Sequence, residues 1–142
     1  MKVIKNTEVT NTKPEVVWKI WENVSDWPKW DDELESVKLN GKFETGGTGV
    51  LVPKGGAKVN FTLTEVIPGK SFTDVSKLPL CKLTFIHSLE TIGDKTYLTH
   101  DVSMSGPLTF LFYNIIGRKI QKFLPTAMKQ LVKMAEQEEI NV

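Results

Sequence analysis

From Leu34 to Ser105 the chain alternates with a period of two, and only one later segment is long enough to cover the sheet this implies. Strands are expected at 34–40, 48–53, 58–67, 71–77, 81–92 and 95–105, each bounded by Gly, Pro or Asn. The strands are polar on one face, as at Lys82, Thr84, Ser88 and Glu90, so one side of the sheet meets water and the other needs a cover. A helical pattern through Leu108, Leu111, Phe112, Ile115, Ile116, Ile120, Phe123, Ala127, Leu131 and Met134 supplies it. Pro125 lies inside that pattern, where the missing donor predicts a kink. Before the sheet, residues 2–10 read as a first strand. Pro14 then opens a short helix, with Thr12 as its expected N-cap and Val17, Ile20, Trp21 and Val24 as its apolar stripe. Ser25–Trp30 restarts the chain as a second short helix or turn around Pro28.

The two histidines of the chain fall on adjacent strands of this pattern. In 81–92, Leu83, Phe85, His87 and Leu89 share a face; in 95–105, Leu98, His100, Val102 and Met104 do. With Gly93-Asp94 as the two-residue turn, Ile92 pairs with Lys95 and His87 with His100. A one-residue slip would turn one apolar face outward, so the rings are neighbours on the buried side. Upstream, Pro68-Gly69 is a turn that places Phe61 opposite Ser76 and Leu63 opposite Asp74. The same parity puts Phe72, Asp74 and Ser76 on the histidine face; the opposite parity would turn Val75 inward and Asp74 outward. Asp74 is expected opposite Leu83, about 13 Å along the sheet from His87, too far for a direct pair.

At 142 residues the chain makes one domain, taken as 1–142, with an ordinary apolar content of 40%. A net charge of +1 gives no case for nucleic acid as a partner. The single cysteine, Cys81, excludes an internal disulfide and suits a reducing compartment, so a cytoplasmic location is expected. No apolar stretch has the length of a signal core or a membrane span, so stable membrane insertion is not expected. Leu108–Phe123, with Arg118, Lys119 and Lys122, has the composition of a surface-seeking helix, but core packing is the commoner use of such residues.

Several stretches carry a resemblance. Lys13-Pro14-Glu15-Val16-Val17-Trp18, Trp27-Pro28-Lys29-Trp30, Gly46-Gly47-Thr48-Gly49, Glu65 to Phe72, Ser105-Gly106-Pro107-Leu108 and Phe123 to Met128 resemble the START-like (SRPBCC) superfamily, closest to its polyketide cyclase/dehydrase-like branch. The resemblance spans the chain. It implies an α+β helix-grip fold: a curved antiparallel sheet of about seven strands wrapped around a long C-terminal helix, with two short helices after the first strand. It also implies an elongated pocket between sheet and helix.

In such a fold His87 and His100 look into the pocket with Phe85, Val102 and Met104, while Trp30, Phe61, Phe72, Phe112 and Ile116 fit its wall or mouth. The candidate ligand-binding set is therefore His87, His100, Trp30, Phe61, Phe72, Asp74, Phe85, Met104, Phe112 and Ile116. Alternatively the imidazoles are core rings bonded to each other, to Tyr113 or to water. Burying two unpartnered imidazoles costs a few kcal/mol, and burial with mutual repulsion lowers their basicity. A neutral pair both donates and accepts, which suits a phenol, enol, carbonyl or carboxylate. No metal site is expected: Cys81 lies about 20 Å from His87 along the strand, Asp101 points to the other face, and two histidines alone hold zinc weakly. No serine is set beside an oriented base for nucleophilic catalysis, and the Gly46–Gly49 cluster does not open a helix as a phosphate loop would.

The sequence thus points to binding of a small hydrophobic or aromatic molecule without a cofactor, by a monomer or weak dimer. A cyclase, dehydratase or isomerase using His87 and His100 as catalytic acid and base is the enzymatic alternative. A protein-interaction module is the third.

Overall fold

The computed structural model describes residues 1–140. Strand β1 (Lys2–Thr10) leads into helix α1 (Pro14–Glu22) and a 3₁₀ turn (Val24–Lys29). Six strands follow: β2 (Leu34–Asn40), β3 (Thr48–Pro53), β4 (Val59–Ile67), β5 (Ser71–Leu78), β6 (Cys81–Ile92) and β7 (Lys95–Ser105). The chain ends in a short helix α2 (Thr109–Phe112), a π-helical turn (Tyr113–Gly117) and the long helix α3 (Arg118–Ile140). The seven strands form one antiparallel sheet in the order β1-β7-β6-β5-β4-β3-β2, with the helices over its inner face. This is the helix-grip arrangement.

Local chemistry explains most element ends. Helix α1 starts at Pro14, whose missing N–H costs nothing in a first turn. Its N-cap is Lys13 rather than Thr12, and no side chain caps it. Thr12 is held elsewhere: its carbonyl accepts from the buried Thr96 hydroxyl at 2.8 Å and its N–H donates to Thr10 Oγ1. The buried stripe of α1, Val17, Trp18, Ile20 and Trp21, packs against Ala127, Met128, Leu131 and Ala135 of α3 and against Leu63, Phe72 and Leu98 of the sheet. A second, smaller cluster of Cys81, Leu83 and Met104 lies beneath Phe112, Tyr113, Ile116 and Ile120.

The C-terminal helix departs from the even pattern its sequence implies. Helical residues run on through Pro125, and a further irregularity falls at Tyr113–Gly117. Gly117 is buried, with the Tyr113 ring and Met104 Sδ packed where a side chain would stand. The extra residue of the π turn shifts the helical phase, so Leu111 and Ile115, expected in the buried stripe, are exposed.

Tight glycines set the sheet's near edge. Gly49 in β3 faces Phe61 in β4, and a Cβ on it would also lie 2.6 Å from the Lys38 carbonyl oxygen. Phe61 is buried and Lys38 O is backbone, so neither yields easily. Gly49→Ala should cost about 1–3 kcal/mol, the usual range for overpacking, lowering the urea midpoint at unchanged slope. An unchanged midpoint would mean β3 and β4 separate there at no cost.

Candidate functional site

The turn Ile92-Gly93-Asp94-Lys95 closes as a two-residue hairpin, with Gly93 at φ +65°. Its register pairs His87 with His100, and the ring centroids are 4.3 Å apart in a T-shaped contact. Both histidines are buried. The Phe72 ring stacks on His87 at 4.0 Å and 6°, fixing its plane, and Trp30 meets His100 edge-on at 5.9 Å. Trp21 touches both imidazoles from the helix side, each at 5.7 Å. Tyr113 does not cap them; its hydroxyl donates to Gln121, about two helical turns further on.

Asp74 stands closer than the sequence arithmetic places it. β5 and β6 join through Pro79-Leu80, with Leu80 in the left-handed region at φ +55°, so Leu78 pairs with Cys81. That register sets Asp74 opposite Phe85, not Leu83, and brings its Oδ2 within 3.9 Å of His87 Nδ1. Upstream, Phe61 pairs with Ser76 and Leu63 with Asp74 as the sequence implies, while a bulge between Leu63 and Glu65 shifts Ile67 onto Ser71.

A cavity of about 500 Å³ opens against this cluster. Its wall includes Trp27 of the 3₁₀ turn and Trp30 at its end, Asp74, Ser76, Leu83, Phe85, His87, His100 and Val102 from the sheet, and Ile115, Ile116, Lys119, Ile120, Phe123 and Leu124 from the helix side. The exposed wall residues, Lys54–Lys58 on the β3–β4 loop and Ile115 and Lys119 on the helix, mark the mouth. Of the ten candidate residues, His87, His100, Trp30, Asp74, Phe85 and Ile116 reach the cavity. Phe61 and Phe72 lie in the main core, where Trp27 stacks over both. Met104 belongs to the second cluster and Phe112 packs on it. Ser76 was placed on the histidine face but not on the wall, because a strand's parity does not say where the covering helix stands; Trp27, in the 3₁₀ turn, had no such signal.

Four buried polar atoms on this wall have no protein hydrogen-bond partner: Trp30 Nε1, Ser76 Oγ, His87 Nδ1 and His100 Nε2. Burial also decides the charge state. It pushes the Asp74 carboxyl up to about 8 and the His100 imidazole down to about 3. His87 is lowered well below its ordinary value by burial first and by His100 second, with the Phe72 backbone pulling slightly the other way. The cluster is therefore neutral at pH 7, its proton on Asp74 rather than on His87. Among the described residues no three His, Cys, Asp or Glu side chains converge as a metal site.

These shifts make stability depend on pH with a defined sign. The folded chain keeps the Asp74 proton that the unfolded chain releases near pH 4, so this contribution falls as pH rises from there to about 8. The imidazoles act oppositely: the unfolded chain takes up protons near pH 6.5 that the folded chain refuses, so their contribution falls as pH drops below 6.5. At pH 6.5 the two effects nearly cancel; from about pH 7 to 8 Asp74 dominates, with a net slope on the order of 0.5–1 kcal/mol per pH unit. Urea unfolding should show stability declining from about pH 7 to 8 in the wild type and level or slightly rising in Asp74→Asn. Equal slopes in both would show that Asp74 is not protonated in the folded chain.

Residues 1–136 match the family model described as polyketide cyclase / dehydrase and lipid transport. No curated protein matches the sequence. Among solved structures, MLL2253 from Mesorhizobium loti is similar with a TM-score of 0.76 at 15% identity, over 96% of this chain and 98% of that one. The hypothetical protein jhp0584 from Helicobacter pylori gives a TM-score of 0.77 at 11% identity, over 94% and 88%. Ara h 8.0201 gives 0.73 at 12% identity, over 96% and 98%. At these identities the likeness is one of fold.

Proposed function

Because the chain belongs to the polyketide cyclase / dehydrase and lipid transport family, we propose that it binds a small hydrophobic molecule between the sheet and the C-terminal helix, with His87 and His100 as polar anchors. The observation that carries this reading is the cavity wall: about 500 Å³ of mainly apolar surface, interrupted at one place by unpartnered polar atoms. The volume lies in the range of small-molecule sites, and a few convergent polar groups on an apolar wall are their usual composition. Each buried polar atom left unpaired costs about 1–3 kcal/mol, so a ligand whose polar end pairs with them gains that back.

The wall also supports a choice of ligand chemistry. Trp30 Nε1 can only donate, Ser76 can do both, and each neutral imidazole offers one donor and one acceptor. Asp74, protonated, adds a donor. No cation stands in this inner cluster; Lys54, Lys58 and Lys119 are exposed at the mouth. A phenol, enol or ketone suits such a lining better than a carboxylate, whose charge would be desolvated without a counterion. Acid–base catalysis by the histidine pair has less support, because a base held near 3 is far from the pH at which it would work.

Trp27 and Trp30 on the wall provide the readout. Titration with 2-naphthol at pH 7 should change tryptophan emission saturably at one equivalent, and 2-naphthoate should bind at least about tenfold more weakly. His100→Phe, which keeps the ring and removes its hydrogen bonds, should weaken 2-naphthol by about tenfold, one hydrogen bond's worth. Ile116→Trp, which narrows the cavity, should weaken binding. Saturable binding that neither variant alters would place the ligand elsewhere, and preference for the carboxylate would overturn the neutral-ligand reading.

A further inference from the structure

The end of the molecule that carries the cavity mouth is apolar at its tip and cationic around it. Leu80 at the β5–β6 turn is 64% exposed, Phe110 and Leu111 in α2 are 69% and 41%, and Ile115 in the π turn is 55%. These belong together: the Leu108 N–H donates to the Leu80 carbonyl at 3.0 Å, joining the turn to the start of α2. Ile115 is itself part of the cavity wall, so the exposed apolar surface continues into the mouth.

Cations gather at this end from almost every element. Antiparallel pairing brings Lys2 of β1, Lys82 of β6, Lys77 of β5, Lys58 before β4 and Lys54 after β3 to the same end of the sheet, all exposed. Arg118, Lys119 and Lys122 follow on the helix, also exposed. Lys77 and Lys82 stand directly opposite in the ladder, an arrangement that costs stability unless an anion faces it. Between Val102 and Ala135 the sequence has five cationic and no acidic residues, leaving 13 cationic against 17 acidic in the rest. The acidic groups at this end, Asp31, Asp32, Glu33 and Glu35, are confined to the start of β2 and the residues before it, at the far lip of the mouth.

We propose that this end docks on the surface of a bilayer containing anionic phospholipid, with Leu80, Phe110, Leu111 and Ile115 entering the interface and the lysines and Arg118 meeting the headgroups. Charge selects this occupant. A second copy would bring like-charged surfaces together, whereas an anionic bilayer neutralises them and accepts the apolar tip. The contact is peripheral, since no helix among the described residues is long and apolar enough to cross a membrane. The mouth then faces the lipid, so a hydrophobic molecule passes between bilayer and cavity without crossing water. Only that last consequence rests on the ligand-binding reading; docking itself does not.

The ligand-free full chain is mixed with vesicles of phosphatidylcholine, or of phosphatidylcholine with one quarter phosphatidylglycerol, and sedimented. Binding is expected to the anionic vesicles only and to fall steeply with salt. L80S/F110S and K77E/K82E should each reduce it about tenfold or more, with unchanged thermal unfolding and unchanged 2-naphthol binding, as none of the four residues lines the cavity. In Phe110→Trp, emission should shift to the blue on anionic vesicles as the ring leaves water. Equal sedimentation with both vesicle types, or no loss in either double variant, overturns the proposal. So does concentration-dependent self-association abolished by L80S/F110S, which would make a second copy the occupant. Loss of 2-naphthol binding with vesicle binding intact would instead count against the cavity reading alone.

Discussion

The burial of two imidazoles against one carboxyl is the constraint on which the inner face depends. The β6–β7 register admits no alternative parity, because moving one strand by a residue would turn either Leu83 and His87 or Leu98 and Val102 out to water. Once that register is fixed, the rings meet at 4.3 Å and the Pro79-Leu80 turn delivers Asp74 alongside. Desolvation then favours the neutral form of all three. The consequence is a polar spot without charge inside an apolar wall, which is a different chemical object from an ion pair or a metal site.

Packing divides the inner face into a part that is filled and a part that is not. The rings of Trp18, Trp21, Trp27, Phe61 and Phe72 close one side into a continuous core and hold His87 in its plane. On the other side the helix stands away from the sheet, and the cavity extends from the histidines to the β3–β4 loop. The π turn at Tyr113–Gly117 belongs to this arrangement. It seats Gly117 against Met104, changes the helical phase, and leaves Ile115 at the mouth rather than in the core. The same phase change leaves Leu111 and Ile115 exposed in the apolar tip, beside Leu80 and Phe110.

The sheet was readable from the sequence because period two and turn residues are local signals. Strand limits and the His87–His100 pairing followed from counting residues between turns, whereas the inward face of Phe72, Asp74 and Ser76 was one of two parities the sequence left open. What counting could not supply was the length of the Pro79-Leu80 connection. A left-handed leucine is rarely chosen there, and the difference of two residues moves Asp74 from remote to adjacent. The helix was harder still. Its stripe reads as uniform through Leu111 and Ile115, and the extra residue of the π turn depends on Met104 and Gly117, which meet only in the folded chain. Membership of the cavity wall was only partly legible for the same reason: Phe61, Phe72 and Met104 have the right parity, but the position of the helix decides which inward side chains face space and which face other side chains.

The most direct test of the neutral cluster is a nitrogen-15 NMR titration of the two histidines in the ligand-free protein. Both rings should keep the shifts of neutral imidazole from pH 8 down to about pH 5.5, because burial holds His100 near 3 and His87 well below 6.5. Titration of either ring near pH 6.5 would mean that it is solvated or ionically paired with Asp74, and would contradict the account.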